Sequence, residues 1–280
     1  MHSLIFWGFL GLLVSAAGDV GIRFGIEPPP SWNRASFLLR ELAAIAFLWG
    51  VGMAIHRRFI RRWIRLPRDL PGDAIGLGLL LTTGVSGVLV AGARVALQPS
   101  SNESIQLTAH AAAWGLQALG WESARLFVPL QLIHVTLAAC LYAAIPLTRL
   151  RHLVVAPLAI LFTLRPQGTN QARLAGGLDL SWAQRLQLDA CSGCGRCDVA
   201  CPPAEEGADL SPMSFLLEQR TDQRAPGTAG GILAHCTQCG ACEEACPIGI
   251  SHLDRFEGLR EHRILATTEA ATTLRSDPHA

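Results

Sequence analysis

The first 165 residues alternate long apolar runs with short polar loops. An α-helix needs about 20 apolar residues to cross the hydrocarbon core of a bilayer. Four runs approach this length, and we predict a transmembrane helix in each: residues 4–22, 37–60, 74–96 and 126–147. Residues 104–120 are shorter and mixed in character, which predicts a helix on the membrane surface. Residues 153–164 contain Pro157 and predict an interfacial segment.

The remainder of the chain has the polar composition of a soluble domain. Within it, "ADLSPMSFLLEQR" predicts a helix with Ser211 as N-cap and Pro212 at the first helical position. The pattern therefore predicts a mainly α protein, with a membrane bundle of about four transmembrane helices plus surface helices, followed by a helix-rich second domain. The expected boundaries are 1–165 for the membrane domain, 166–185 for a linker, 186–265 for the second domain and 266–280 for a flexible tail.

Composition and charge agree with a membrane location. Of the 280 residues 50% are hydrophobic and only 16% are charged, against about a quarter charged in soluble domains. The net charge of +1 argues against a nucleic-acid partner. Arginines cluster in the loop after the second apolar run and again after the fourth, and such clusters mark the cytoplasmic side. We therefore expect a multi-pass protein of the inner membrane, with both termini and the second domain in the cytoplasm.

Eight of the nine cysteines form two runs with the spacing C-x2-C-x2-C-x3-C-P: "CSGCGRCDVACP" from residue 191 and "CTQCGACEEACP" from residue 236. This spacing is typical of [4Fe–4S] clusters, and in two-cluster ferredoxins the fourth cysteine of each run binds the other cluster. Zinc sites lack the third two-residue step. The predicted ligands are Cys191, Cys194, Cys197 and Cys246 for the first cluster, and Cys236, Cys239, Cys242 and Cys201 for the second. The second domain is therefore predicted to be a helix-rich two-cluster ferredoxin domain.

Two histidines of the first half have a spacing that suits haem. His134 and His152 are 18 residues apart, so on one continuous helix they would share a face, roughly 27 Å apart along its axis. This arrangement suits axial ligands of two stacked b haems, or of one haem with a second, structural histidine. The sequence has no C-x-x-C-H motif, which excludes covalent c-type haem.

The membrane half also resembles a known family. "LQLIHVTLAACLYAAIPLTRLRH" and "MHSLIFWGFLGLL" resemble haem-binding helices of respiratory nitrate reductase gamma subunits and of heterodisulfide reductase cytochromes b. The resemblance implies that His2 and His152 bind an inner b haem and that His134 binds an outer one. The chain departs from the family at Leu12, where a second histidine is expected, so His110 is the reserve ligand for the outer haem. Whether the chain binds one haem or two stays open.

Two further positions near these histidines bear on the haem ligands. His56 is an alternative to His2, although its arginine neighbours favour a solvated residue. Ala91 stands where relatives often have an acidic residue before the arginine of "GVLVAGAR".

The second half resembles the ferredoxin part of heterodisulfide-reductase-like proteins, through "SWAQRLQLDACSGCGRCDVACPP" and "CTQCGACEEACPIGISHLDRFEGLREHRIL". His235 and His252 flank the second motif, where a surface or hydrogen-bonding role is favoured. In fused relatives a catalytic cysteine-rich domain follows the ferredoxin part. The resemblance therefore implies that this chain works with a cytoplasmic catalytic redox subunit.

Together these features predict a membrane-anchored electron-transfer subunit that links the quinone pool, b haem and two [4Fe–4S] clusters to that partner. The alternatives are a stand-alone membrane redox sensor or assembly factor, and a haem-free anchored ferredoxin. The oligomeric state stays open.

Charged residues at membrane depth are costly and usually functional. Asp19, Glu41 and Arg94 are therefore candidates for a quinone site at the outer helix ends. In the alternative interpretation Arg40 and Arg94 extend their charged ends to the membrane surface and the carboxylates only pair with them.

Overall fold

The structure is a computed structural model that describes residues 1–26, 29, 32–61, 71–97, 106–163, 180–221 and 229–261. Among these residues, those up to Thr148 form one compact unit and those from Arg149 onward form another. The described residues contain helices and no strands, which confirms the predicted mainly α class. The division at Thr148 falls earlier in the chain than residue 165.

The first unit consists of long helices: α1 (His2–Arg23), α2 (Trp32–Ile55, continued by a π-helical turn over His56–Ile60), α3 (Pro71–Leu97), α4 (Leu107–Ala118) and α5 (Ser123–Ala144). Four of them are long and apolar enough to cross a membrane, over His2–Ile22, Arg34–Ile60, Ala74–Leu97 and Ser123–Ala144. The four predicted runs are thereby confirmed. The mixed region between the third and fourth runs forms the short helix α4, as predicted.

Small residues let these helices approach closely. A Cβ atom on Gly8 of α1 would lie 2.7 Å from the backbone nitrogen of Phe47 in α2. A Cβ atom on Gly92 of α3 would likewise lie 2.7 Å from the Cβ atom of Ala112 in α4. Glycine at such contacts is a common device of membrane helices, because apolar side chains gain little by leaving lipid. Backbone approach therefore contributes much of the packing in the first unit.

The helix that carries His134 does not continue to His152. α5 ends at Ala144, and His152 is the first residue of α6 (His152–Thr163), after a 3₁₀ turn over Arg149–Arg151. Pro146 contributes to the break because it has no N–H to donate to the preceding turn, although Ile145 before it keeps helical backbone angles. The expectation of one helix with both histidines on a shared face, about 27 Å apart, was wrong.

The second unit begins with α6 and continues through short helices: α7 (Trp182–Ala190), α8 (Arg196–Val199), α9 (Pro202–Glu205), α10 (Pro212–Thr221), α11 (Ala229–His235), α12 (Ala241–Glu244) and α13 over residues 252–261. Its core includes the edge-to-face pair Phe215 and Phe256, with ring centroids 5.3 Å apart. The helix predicted after Ser211 is confirmed as α10, and the Ser211 hydroxyl accepts from the backbone N–H of Ser214.

A buried arginine forms hydrogen bonds to two other helices of this core. Arg255 of α13 donates to the carbonyl of Gln184 at 2.7 Å and to the side chain of Gln219 at 3.1 Å. Burial lowers the pKa of this guanidinium to about 10. α7 starts with a capping box between Ser181 and Gln184. Most of the predicted linker, and the whole predicted tail over 266–280, lie outside the described residues.

Candidate electron-transfer sites

The eight clustered cysteines surround two cavities, each with four thiols. The first cavity is lined by Cys191, Cys194, Cys197 and Cys246. The second is lined by Cys201, Cys236, Cys239 and Cys242. Each cavity thus combines three cysteines of one run with the fourth of the other, the grouping expected for cross-binding of two clusters. Among the described residues no three His, Cys, Asp or Glu side chains converge on a single-ion position.

Left-handed backbone turns place the first two thiols of each run. Gly193 in the first run has φ +60°, a conformation that glycine adopts without strain. The matching position in the second run is Gln238, with φ +57°, the only non-glycine residue with positive φ in the described part of the chain. Both loops therefore have left-handed backbone geometry at this position, although only the first has glycine, the residue that favours this geometry.

Burial differs sharply among the thiols. Burial raises the pKa of Cys197 in the first cavity, and it raises the pKa of Cys242 in the second to about 12. Cys239 is exposed, and the backbone N–H of Ala241 lowers the pKa of its thiol. Metals bind the thiolate, so cluster assembly must release protons from the buried cysteines.

A buried histidine provides a test of fit at the first cavity. The side chain of His252 is fully buried, and its Nδ1 donates to the carbonyl of Ile250 at 2.8 Å. Its Nε2 has no hydrogen-bond partner among the described residues, and the residue lines the first cavity. Burying a polar nitrogen without a partner costs about 1–3 kcal/mol. With its proton on Nδ1, the imidazole has only a lone pair at Nε2 and cannot donate to a cluster sulfide. The fit to an iron–sulfur cluster therefore rests on the four soft thiolates that line the cavity.

His134 is held in an orientation that suits a haem ligand. The hydroxyl of Ser86 in α3 donates to the carbonyl of Thr83 at 3.0 Å and lies 3.0 Å from His134 Nδ1. The Ser86 hydroxyl can donate to Thr83 while its oxygen accepts from Nδ1–H, and in that tautomer the Nε2 lone pair is left for a metal. Gly87 faces the ring, and a Cβ atom there would lie 3.1 Å from His134 Cε1. Such supporting hydrogen bonds are usual for metal-binding histidines.

The other candidate haem ligands occupy different elements. His2 is exposed at the first position of α1, and His110 is half-buried on α4, which packs against α3. His152 opens α6 in the second unit, and its Nδ1 donates to the carbonyl of Arg149. His56 is exposed at the start of the π-helical turn.

Comparison with known proteins identifies both halves of the chain. Residues 24–168, just over half of the sequence, match the nitrate reductase gamma subunit. The chain belongs to the nitrate reductase gamma subunit family. Residues 187–250 match the 4Fe-4S dicluster domain. The protein is therefore a membrane protein that joins a gamma-subunit domain of cytochrome b type to an iron–sulfur electron-transfer domain.

Two curated proteins are similar over most of the chain. One is the EtfAB:quinone oxidoreductase of Syntrophomonas wolfei subsp. wolfei, which is 24% identical over 255 residues, or 81% of this chain and 35% of that protein. The other is the probable iron-sulfur-binding oxidoreductase FadF of Bacillus subtilis, which is 26% identical over 251 residues, or 82% of this chain and 35% of that protein. The chain thus spans about a third of the length of these relatives. No solved structure matches it.

The charged residues of the gamma-subunit domain are engaged in defined contacts. Asp19 accepts from Arg40 at 2.8 Å, and Arg40 also donates to Ser15. Arg94 lies over the ring of Phe37, 5.9 Å from its centroid. The pairing of Asp19 with Arg40 is the arrangement described by the alternative interpretation.

Glu41 has a different partner. This buried carboxylate accepts from the backbone N–H of Thr108 at 2.6 Å and from the Thr108 hydroxyl at 2.8 Å. It thereby caps the first turn of α4, where backbone N–H groups lack helical partners.

Sequence reasoning missed three residues of these sites. Ser86 carries no motif, and only its contact with His134 reveals a role. Arg149 was counted only as part of a charge cluster, yet its guanidinium contacts the loop of the first cysteine run. His252 was noted beside the second run, but it lines the cavity built mainly by the first. Pairings between elements distant in sequence have no signature in local spacing.

Proposed function

We propose that this protein is a membrane-anchored electron-transfer subunit that links the quinone pool to a cytoplasmic catalytic partner. When bound, b haem and two [4Fe–4S] clusters supply carriers for single electrons. The observation that carries the proposal is the grouping of eight thiols into two cavities in a chain that also has four membrane-length helices.

The chain's own residues would hold the clusters in the crossed pattern. Cys191, Cys194, Cys197 and Cys246 bind the first cluster, and Cys201, Cys236, Cys239 and Cys242 bind the second. Apolar neighbours such as Met213, Leu216 and Phe256 line the cavities and exclude water. A dry surrounding protects the clusters and influences their potentials.

Histidines would hold haem in the gamma-subunit domain. His134 presents Nε2, with Ser86 fixing the ring from the other side. His152 is the proposed ligand of a second haem position, and its Nδ1 is bonded to the carbonyl of Arg149. His2 is the proposed second ligand of the His152 haem, and His110 is the proposed second ligand of the His134 haem.

The relatives' names support the quinone link and the partner, since one of them is an EtfAB:quinone oxidoreductase. The arginine distribution supports a cytoplasmic location for both termini and for the cluster domain. Asp19 and Arg94 stay candidates for contact with quinone. Glu41 is the weaker candidate, because Thr108 already occupies both of its carboxylate oxygens.

The two alternatives make different predictions for the purified protein. A redox sensor or assembly factor would carry the same cofactors but co-purify with no stoichiometric redox subunit. A haem-free anchored ferredoxin would lack the Soret absorption of a b haem. The His134 geometry favours a haem protein over the second alternative.

The test is to purify the full chain from membranes and to measure haem, non-haem iron and sulfide together with co-purifying proteins. We expect b haem, close to eight non-haem irons for two cubanes, and a stoichiometric redox partner. In His152→Ala the haem content should fall while the iron–sulfur content is retained. Unchanged haem in that variant would refute the role of His152, and the absence of both cofactor types would refute the proposed function.

A further inference from the structure

Arg149 connects the loop of the first cavity to a proposed haem ligand. Its guanidinium donates to the carbonyl of Ser192 at 3.0 Å and lies 3.5 Å from the carbonyl of Gly193. Both carbonyls belong to the loop between Cys191 and Cys194. The backbone carbonyl of Arg149 accepts from Nδ1 of His152. A single residue therefore contacts the cluster loop with its side chain and the histidine with its backbone.

Helix packing supplies a second connection between the same two places. α6, which His152 begins, packs against α7. Phe162 of α6 meets the ring of Trp182 of α7 edge-on, with centroids 5.2 Å apart. α7 ends directly at Cys191, which is its C-cap residue. The first cysteine run thus follows immediately from a helix that packs on the His152 helix.

The second cavity shares α13 with the first, which His252 lines, but no described residue of α6 or α7 lines it. Leu253 and Phe256 of α13 line it, and Arg260 of α13 donates to the carbonyl of Cys236 at 2.6 Å. One thiol of the second cavity, Cys239, is exposed, whereas all four thiols of the first cavity are buried or half-buried. The exposed ligand brings the second site within reach of another protein.

From these contacts, and resting on the function proposed above, we infer the order of the two clusters. The cluster held by Cys191, Cys194, Cys197 and Cys246 exchanges electrons with the haem held by His152. The cluster held by Cys201, Cys236, Cys239 and Cys242 exchanges them with the partner protein. The exchange is of one electron in either direction, so that one carrier is oxidised as the other is reduced, and no bond forms or breaks. Arg149 is the positioning residue of this route.

The positive charge of Arg149 gives the inference a measurable consequence. A cluster gains negative charge on reduction, and a nearby cation favours that state. In Arg149→Gln we expect the ratio of reduced to oxidised first cluster, at a fixed potential, to fall roughly tenfold, which corresponds to about 59 mV for a one-electron couple. Potentiometric titration of the full chain, followed by EPR, measures this change. A purely structural clamp would alter stability without moving the potential.

Arg260→Gln is the matched control, because Arg260 donates to a backbone carbonyl of the second run as Arg149 does for the first. It should shift the second cluster and leave the first unchanged. Signals are assigned with Cys246→Ser and Cys239→Ser, each of which perturbs one cluster. The inference is overturned if Arg149→Gln leaves the first cluster unmoved or shifts both clusters equally.

The order itself is tested by reducing the haem with substoichiometric dithionite and following the clusters by rapid-freeze EPR. With Cys246→Ser the second cluster should be reduced much more slowly than in wild type. With Cys239→Ser the exchange between haem and first cluster should be kept. If the variants show the opposite pattern and the wild-type protein carries haem and both clusters, this order alone is overturned. Wild-type protein without haem or clusters would overturn the proposed function as well.

Discussion

The two cysteine runs have the same spacing, yet their surroundings differ. Arg149 and the buried His252 meet the first cavity or its loop, and Gly193 supplies the turn. At the second cavity an exposed thiol, Cys239, stands beside a turn made by Gln238. Identical spacing thus establishes which metal group the runs suit, whereas the surrounding helices determine how buried, how charged and how strained each site is.

The largest expected effect comes from replacing the fourth cysteine of either run with serine. Cys201→Ser should damage the cluster held mainly by the second run, and Cys246→Ser the cluster held mainly by the first, because each lines the other run's cavity. Each variant should lose up to roughly half of the non-haem iron. Iron analysis combined with EPR measures the loss. If each substitution damaged the cluster of its own run, the crossed arrangement would be wrong.

A second comparison concerns the turn of the first run. Gly193→Ala should lower the free energy of unfolding by about 1–2 kcal/mol, the cost of left-handed geometry for an L residue. The added Cβ atom would also lie 3.2 Å from Arg149 Nη2. Thermal unfolding of the full chain measures the change. Gly207→Ala, at φ +89° with open space around it, is the control that isolates the backbone cost.

The thiols should also differ in their response to pH once the clusters are removed. The pKa of Cys242 is raised to about 12 by burial, so the stability that its neutral form contributes is present below the ordinary value of 9.0 and is lost as pH rises toward 12. The pKa of Cys239 is lowered, so its thiolate forms first. Alkylation followed by mass spectrometry should label Cys239 at lower pH than Cys242. Equal labelling of both would contradict the difference in burial.

The smallest expected effect is a gain in stability. Gln238→Gly should raise the free energy of unfolding by about 0.5 kcal/mol, because relief of left-handed strain outweighs the greater chain entropy of glycine. Thermal unfolding against wild type measures it. A loss of stability would mean that the Gln238 side chain makes a contact worth more than the strain.

Much of this molecule follows from local pattern. The four membrane helices were predictable because apolar length is a property of continuous sequence. The α10 start at Ser211 and Pro212 was predictable because capping acts within one turn. The crossed grouping of cysteines followed from spacing, since the short separations within each run allow few arrangements around a cubane.

Other features depended on contacts between distant parts of the chain. The helix break before Pro146 could have been inferred from proline chemistry, but an apolar run that continues past it concealed the break. Ser86 beside His134, Thr108 beside Glu41, and Arg149 on the Ser192 loop join residues 43 to 67 positions apart. Sequence alone determined which side chains are available as ligands and which segments are helices. Tertiary structure alone decided which ring nitrogen is hydrogen-bonded within the protein and which charge lies beside which cysteine run, because hydrogen bonds and Coulomb interactions depend on distance in space.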